Sequence, residues 1–263
     1  MKKSFKAKKW VLLTALFAVC LLMKPVKAEA ASYKKGDEYT AVKIGKTTVK
    51  MNDHNVYAIR NGKRITFSSK KAKVVNFITN GKEIIYSTST GKKSCVYQAN
   101  IAKKTQKLLF NHKGYVSVAD KSGNKLYFDV EYYANNDYAF KYYNLKSKKT
   151  KVVKKERVYD RTYRGKIYLT EIIGEAENIT VYQVDMKTGK AKKLLTGCEI
   201  AFSGKTIYYT TVIWKNGESK ETLYKCSING KNKKKLGAVR SRKNGRIYYK
   251  TKSGKAKATP KLK

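Results

Sequence analysis

Gly204-Lys205-Thr206-Ile207-Tyr208-Tyr209-Thr210, then Leu223-Tyr224-Lys225-Cys226-Ser227-Ile228-Asn229-Gly230-Lys231-Asn232 and Lys235-Leu236, is the stretch from which the fold is read. A Gly-Lys turn opens onto a run of β-branched and aromatic residues. A second such run follows, and an Asn-Gly turn leads into a third. Strand formers alternating with period two, bounded by Gly, Asn, Ser and Lys, describe short β-strands joined by hairpins.

The same pattern recurs on either side. Its first part returns as Gly81-Lys82-Glu83-Ile84-Ile85-Tyr86, Gly123-Asn124-Lys125-Leu126-Tyr127-Phe128, Gly165-Lys166-Ile167-Tyr168-Leu169 and Gly245-Arg246-Ile247-Tyr248-Tyr249. The first aromatic of each falls at 86, 127, 168, 208 and 248, so the spacing is 41, 41, 40 and 40. A degenerate copy stands at Gly45-Lys46-Thr47-Thr48-Val49. The second part recurs as Val56-Tyr57-Ala58, Val96-Tyr97-Gln98, Phe140-Lys141-Tyr142 and Val181-Tyr182-Gln183, and the third as Lys107-Leu108-Leu109, Lys151-Val152-Val153 and Lys193-Leu194-Leu195. Each unit thus holds four short strands, and no sustained helical stripe occurs after the first thirty residues. The only prolines, Pro25 and Pro260, leave the strand pattern unbroken.

A four-stranded unit of this length cannot bury both its faces alone and must stack on copies of itself. Radial stacking gives a β-propeller, which protects most sheet edges. The reading is all-β, a propeller of about six four-stranded blades, the last one truncated, with the N-terminal residues adding a strand to the final blade. Five blades, an open arc of sheets, or an aromatic-repeat β-solenoid are the alternatives.

The opening stretch also resembles a blade of the low-density-lipoprotein-receptor-type propellers, whose repeat runs aromatic-aromatic-Thr-Asp, then an Ile/Leu-Tyr strand, an Asp/Asn-Gly turn and a final Leu. Lys166-Ile167-Tyr168-Leu169-Thr170-Glu171 is a second echo. The resemblance covers roughly residues 40–251 and is similar to bacterial exported relatives of that family, mostly of unknown function. It implies the propeller architecture. The Thr-Asp element stands here as Ser87-Thr88, Asp129-Val130, Thr170-Glu171, Thr210-Thr211 and Lys250-Thr251, so the bonds made by that acid are expected to be missing in part. No ligand-binding residues carry over. Gly-Lys-rich cell-wall-binding repeats with Tyr-Tyr pairs are a competing resemblance, but those have a shorter period and more tryptophan than Trp10 and Trp214 provide.

Residues 1–30 read as a signal peptide: Lys2, Lys3, Lys6, Lys8 and Lys9, an apolar run from Trp10 to Met23, and Ala28-Glu29-Ala30 before Ala31. The run is 14 residues, short of the roughly 20 that a membrane-spanning helix needs. Retention as an uncleaved anchor is the alternative. Residues 31–263 are then one repeat domain with a short basic C-terminal tail. Removing the first thirty residues takes away seven lysines and one acid, leaving 53 basic and 17 acidic residues and a net charge of +36. So large an excess repels itself in the folded state and attracts polyanions. The 21 tyrosines and the many β-branched residues exclude a disordered polybasic chain. Three cysteines remain, Cys95, Cys198 and Cys226, an odd and widely spaced set that argues against a disulfide framework. Each is expected to be a small buried hydrophobe in a strand.

Lysine gathers in the turn before the last strand of each unit. The clusters are Lys103, Lys104 and Lys107; Lys146, Lys148, Lys149 and Lys151; Lys187, Lys190, Lys192 and Lys193; and Lys231, Lys233, Lys234 and Lys235, with Lys70, Lys71 and Lys73 after the first repeat. The last strand of a propeller blade lies outermost, so these turns are expected to form a basic belt on one rim, able to span a long polyanion. Lysines that merely block sheet edges are the plainer account.

Catalytic signatures are sparse. His54 and His112 lie in different repeats, read as surface-loop residues, and have no His or Cys at metal-ligand spacing. No phosphate loop, nucleophile elbow or calcium loop is present. Asp120, Asp160 and Glu199 precede their aromatic pairs at offsets of 7, 8 and 9, which do not align as paired carboxylates would. The expectation is therefore a non-enzymatic, monomeric module without cofactor or metal. It is secreted or held at the envelope of a Gram-positive-like bacterium, bound to an anionic wall polymer or anionic lipid, and free to present a face to a protein partner. Nucleic acid is the less fitting polyanion for an exported chain. The alternatives are an interaction or sensory propeller whose charge serves solubility, and a carbohydrate-active enzyme.

Overall fold

The computed structural model describes residues 32–68, 72–132, 137–155, 158–173 and 178–262, and all the regular structure in them is β. The leader read in residues 1–30 lies outside these, as do Lys70 and Lys71. After β1 (Lys34–Gly36), four strands make the first blade: β2 (Val42–Ile44), β3 (Thr47–Met51), β4 (Asn55–Arg60) and β5 (Lys63–Ser68). The second blade is β6 (Lys73–Thr79), β7 (Glu83–Ser89), β8 (Lys93–Asn100) and β9 (Thr105–Lys113). The third is β10 (Tyr115–Ser122), β11 (Lys125–Tyr132), β12 (Asp137–Asn144) and β13 (Thr150–Lys155). The fourth is β14 (Val158–Tyr163), β15 (Lys166–Ile173), β16 (Asn178–Asp185) and β17 (Lys190–Gly197). The fifth is β18 (Ile200–Ser203), β19 (Thr206–Lys215), β20 (Glu218–Ser227) and β21 (Lys234–Lys243). Within each blade the strands, a to d in chain order, pair antiparallel with their neighbours.

The sixth unit is the truncated one. β21 pairs with β20 through Lys234–Ala238 and with β22 (Arg246–Lys250) through Ala238–Lys243, and β23 (Ala256–Ala258) adds one more strand. One long strand thus closes the fifth blade and opens the sixth. The chain is a β-propeller of about six such units.

Side chains from facing sheets form four cores, between blades one and two, two and three, three and four, and four and five. All lie within the compact unit Tyr33–Lys263. In β7, Ile84 and Tyr86 face the preceding blade and Ile85 the following one. Leu126 and Phe128 face backward in β11, and Tyr127 faces forward. The structural equivalent of Tyr127 is therefore Ile85, not Tyr86. Aligning aromatic with aromatic slips the second unit by one residue, which in a strand turns every side chain to the other face. At the forward-facing position Ile85, Tyr127 and Tyr168 are fully buried, Tyr208 is half-buried, and Tyr248 is 38% exposed. Burial fades as the covering blade shortens.

Two more expectations are corrected. The N-terminal strand does not join the final blade: β1 pairs antiparallel with β6 in the second blade, Lys34 opposite Thr79 and Gly36 opposite Phe77. Tyr33 anchors it in the core between blades two and three, and Gly36 lies on the Phe77 ring, where a Cβ would overlap. Nor do the cysteines behave alike. All three are free, but only Cys226 is buried in a strand, whereas Cys95 is half-exposed and donates to Asn111 Oδ1, and Cys198 lies between β17 and β18.

Asn76 makes a buried bridge between blades two and three. It accepts from Ser87 Oγ at 3.0 Å within its blade and from the Val118 amide of the next blade at 2.9 Å, and its own amide donates to the Val118 carbonyl. A bulge recurs where strand d meets strand c, between Val96 and Tyr97, Phe140 and Lys141, Val181 and Tyr182, and Leu223 and Tyr224. It increases the twist of each outer strand.

Candidate anion-binding face

Alternating strand direction puts the a–b and c–d turns of every blade at one end, and the b–c turns and d–a crossings at the other. The fifteen lysines singled out in the sequence all lie in the c–d turns of blades two to five or at the start of the following d strand, and all are exposed. Among the described residues none of them forms an ion pair.

Short polar side chains build these turns. Asn100 Oδ1 accepts from the Lys103 amide, Asn144 Oδ1 from Lys146 and Ser147, Asp185 Oδ1 from Lys187 and Thr188, and Asn229 Oδ1 from Lys231. Asn and Asp cap turns in this way because the side chain reaches backbone amides two and three residues on. The amides also hold the Asp185 carboxyl below the usual carboxylate range. Asn100, Asn144 and Asp185 each end their c strand, a place taken by Ser227 in blade five, and the recurrence was visible in the sequence but masked by the lysines around it.

Each turn is tied down. The Ile101, Leu145 and Ile228 amides donate to the Lys82, Asn124 and Lys205 carbonyls of the a–b turns of their own blades, at 3.1, 2.7 and 2.9 Å. Tyrosine hydroxyls tie blade to blade: Tyr143 donates to the Leu109 carbonyl, Tyr127 to Met186 and Tyr168 to Ile228, at 3.2, 2.9 and 3.1 Å. Burial pushes the Tyr127 and Tyr168 phenols up, so these hydroxyls stay protonated donors.

Lys104 and Lys148 occupy left-handed backbone, with φ 54° and 57°, four residues after the capping Asn. In the sibling turn of blade four Gly189 fills that position with φ 79°. A left-handed conformation costs a non-glycine residue about 1–2 kcal/mol.

Acidic residues collect at the opposite end: Asp37, Glu38, Asp53, Glu131, Asp137, Glu171, Glu199, Glu218 and Glu221. Several are neutralised there. Lys154 Nζ meets Glu171 Oε1 at 3.1 Å while Tyr182 donates to its other oxygen, and Arg242 bridges Glu199 and Glu221. At the lysine end Glu83 is held by Lys121 at 3.1 Å.

Of the carboxylates weighed for catalysis, Asp120 lies toward the lysine end and Glu199 at the opposite end, so these two do not come together. Asp120 is buried and accepts from the Lys121 amide, and Glu199 belongs to the Arg242 bridge. The side chain of Asp160 lies outside the described residues. A cavity of about 680 Å³ at the acidic end is lined instead by Asp37, Glu38, Tyr39, His54, Lys73, Ser89, Thr90 and Tyr115. Sequence reasoning missed it because its walls come from three blades and the β1–β2 loop. His54 lies in the first b–c turn, as a loop residue should. His112 does not: it sits on β9 against Phe128 and Tyr132 with Lys141 Nζ 3.3 Å away, and burial and that cation lower its pKa. Among the described residues no group of His, Cys, Asp and Glu could hold a metal ion, and no helix is long and apolar enough to cross a membrane.

The fold is shared with solved propeller proteins. The oligogalacturonate lyase of Vibrio parahaemolyticus matches with a TM-score of 0.52 at 8% identity, over 81% of this chain and 73% of that one. An oligogalacturonate lyase in complex with manganese matches at 0.50 with the same identity and coverage. Dipeptidyl peptidase 4 of Porphyromonas gingivalis matches at 0.50 and 12% identity, over 80% of this chain but only 42% of its own. No protein-family model matches the chain, and no curated protein matches it significantly. At such identities the likeness shows the fold alone. It nonetheless corrects the expectation that the chain is not an enzyme: that expectation rested on sparse catalytic signatures in the sequence, and the proteins that share this fold include lyases and a peptidase.

Proposed function

We propose that this chain is an exported binding module that attaches through its lysine-bearing c–d turns to an anionic polymer of the cell envelope, leaving its other end for a protein partner. The observation that carries the reading is the recurrence of exposed lysines, three or four at each c–d turn of four successive blades, all at one end of the stack. Four turns without internal ion pairs keep that charge available to a partner.

The test is capture of residues 31–263 on purified cell walls, with and without teichoic acid, across a salt series. Retention that needs the polymer and fades with salt is expected. Equal capture on stripped walls, or none at low salt, would sink the proposal. The likeness to oligogalacturonate lyase makes acidic oligosaccharides the first small ligands to include, with turnover read beside binding.

A further inference from the structure

We infer that the lysine end reads polymer length: its ligand is a linear polyanion long enough to run across neighbouring blades, not a small anion held at one turn. This rests on the function proposed above and narrows its ligand class.

The argument begins with the array. Four equivalent turns carry three or four lysines each, and each step between them is fastened by a bond between blades. Tyr143 to the Leu109 carbonyl joins blades two and three, Tyr127 to Met186 joins three and four, and Tyr168 to Ile228 joins four and five. The turns are therefore held in one fixed sequence along the arc. Packed sheets lie about 10 Å apart, so four turns span at least roughly 30 Å. A strand with one charge per about 3.4 Å, as in a nucleic acid backbone, covers that span with about ten charges.

A cavity of about 300 Å³ beside Lys103 and Lys107 in blade two is walled by the Glu83 carboxylate as well, which disfavours a lone anion there. Lysine ammoniums are point charges without the fork that grips one phosphate or carboxylate, and none of the fifteen positions is an arginine. One turn holds weakly; successive turns on one chain add through effective concentration, which raises avidity by about 10²–10⁴.

The array also predicts that position matters, not only charge. The blade-four cluster is interior and the blade-five cluster is terminal, and each has four lysines. One variant replaces Lys187, Lys190, Lys192 and Lys193 by Gln, and a second replaces Lys231, Lys233, Lys234 and Lys235. Both lose the same charge from exposed turns. Binding of inorganic polyphosphate of about 3, 15 and 60 units would be measured by calorimetry on residues 31–263. Affinity per molecule should rise at least about a hundredfold from the shortest to the middle length, then level off. With the middle length the interior variant should lose at least about tenfold more affinity than the terminal one, since it splits the array. Equal losses, or affinity that does not climb with length, would overturn the inference while leaving electrostatic attachment standing. No binding at any length would remove the function beneath it as well.

Discussion

The two ends of the blades are built on opposite principles. At the lysine end the chain turns in short capped hairpins whose lysines point into solvent while Ile101, Leu145, Met186 and Ile228 pack against the cores. At the other end it crosses from one blade to the next, and backbone meets backbone. A Cβ at Gly114 would lie 2.6 Å from the Glu131 carbonyl, one at Gly197 would lie 2.7 Å from that of Thr210, and one at Gly237 would overlap that of Lys250. At the first end a Cβ at Gly45, Gly62, Gly123, Gly165 or Gly204 would meet nothing within 4 Å, and lysine has accumulated around such open turns. The crossings of the second end are sterically closed, and the stacking of the blades depends on them. A repeat protein can thus vary its surface at one end without touching what stacks its blades.

The contrast is open to direct challenge, and the largest effect belongs to the lysine end. Raising salt from 50 to 200 mM should weaken binding of long polyphosphate by about a thousandfold or more, as counterion release by six to ten contacts requires. A loss below about tenfold in a filter-binding titration would mean that few lysines take part. The crossing end comes next. Gly237, at φ 156°, replaced by alanine should cost about 3 kcal/mol in urea unfolding, from overlap and backbone strain together. Gly204→Ala in an a–b turn meets no atom within 4 Å and should cost only its left-handed backbone, about 1 kcal/mol. Equal costs would erase the distinction between the ends.

A smaller effect separates stability from function within one turn. Lys148→Gly should raise stability by up to about 1 kcal/mol through relief of the left-handed backbone, and at the same time weaken polyphosphate binding. If both fell, the turn would owe its shape to the lysine itself. The smallest effect is a pH dependence at His112, near the crossing end. Its folded pKa lies below the ordinary 6.5, so the unfolded chain takes up the proton first as the pH falls. The stability it contributes is complete above about pH 6.5 and is lost below that, as the pH falls toward its folded value. His112→Gln should flatten thermal unfolding midpoints between pH 7.5 and pH 5; an unchanged slope would assign the loss to other groups.

Much of the fold was legible because stacked copies repeat the same burial problem at the same interval. Tyr127, Tyr168 and Tyr208 keep time because each faces the following blade. Tyr86 broke the count by facing backward, a difference that composition cannot register, since Ile85 and Tyr86 are both strand formers. The lysine turns were legible as well, because charge clusters are local. The interior bridge made by Asn76 and the cavity at the opposite end were not: each depends on which segments distant in sequence come to lie side by side. Asn76 lies 42 residues from Val118.

By itself, then, the sequence settled what recurs: strand, turn and charge at a period of about 40 residues, and so a stack of β-blades with lysine at one kind of turn. Only the tertiary structure decided where β1 pairs, which acids are neutralised, and that the four c–d lysine turns share one end of the stack. The reason is physical. Local periodicity follows from backbone geometry and side-chain burial within a few residues, whereas the gathering of those turns depends on strand direction, which puts alternate turns of every blade at the same end.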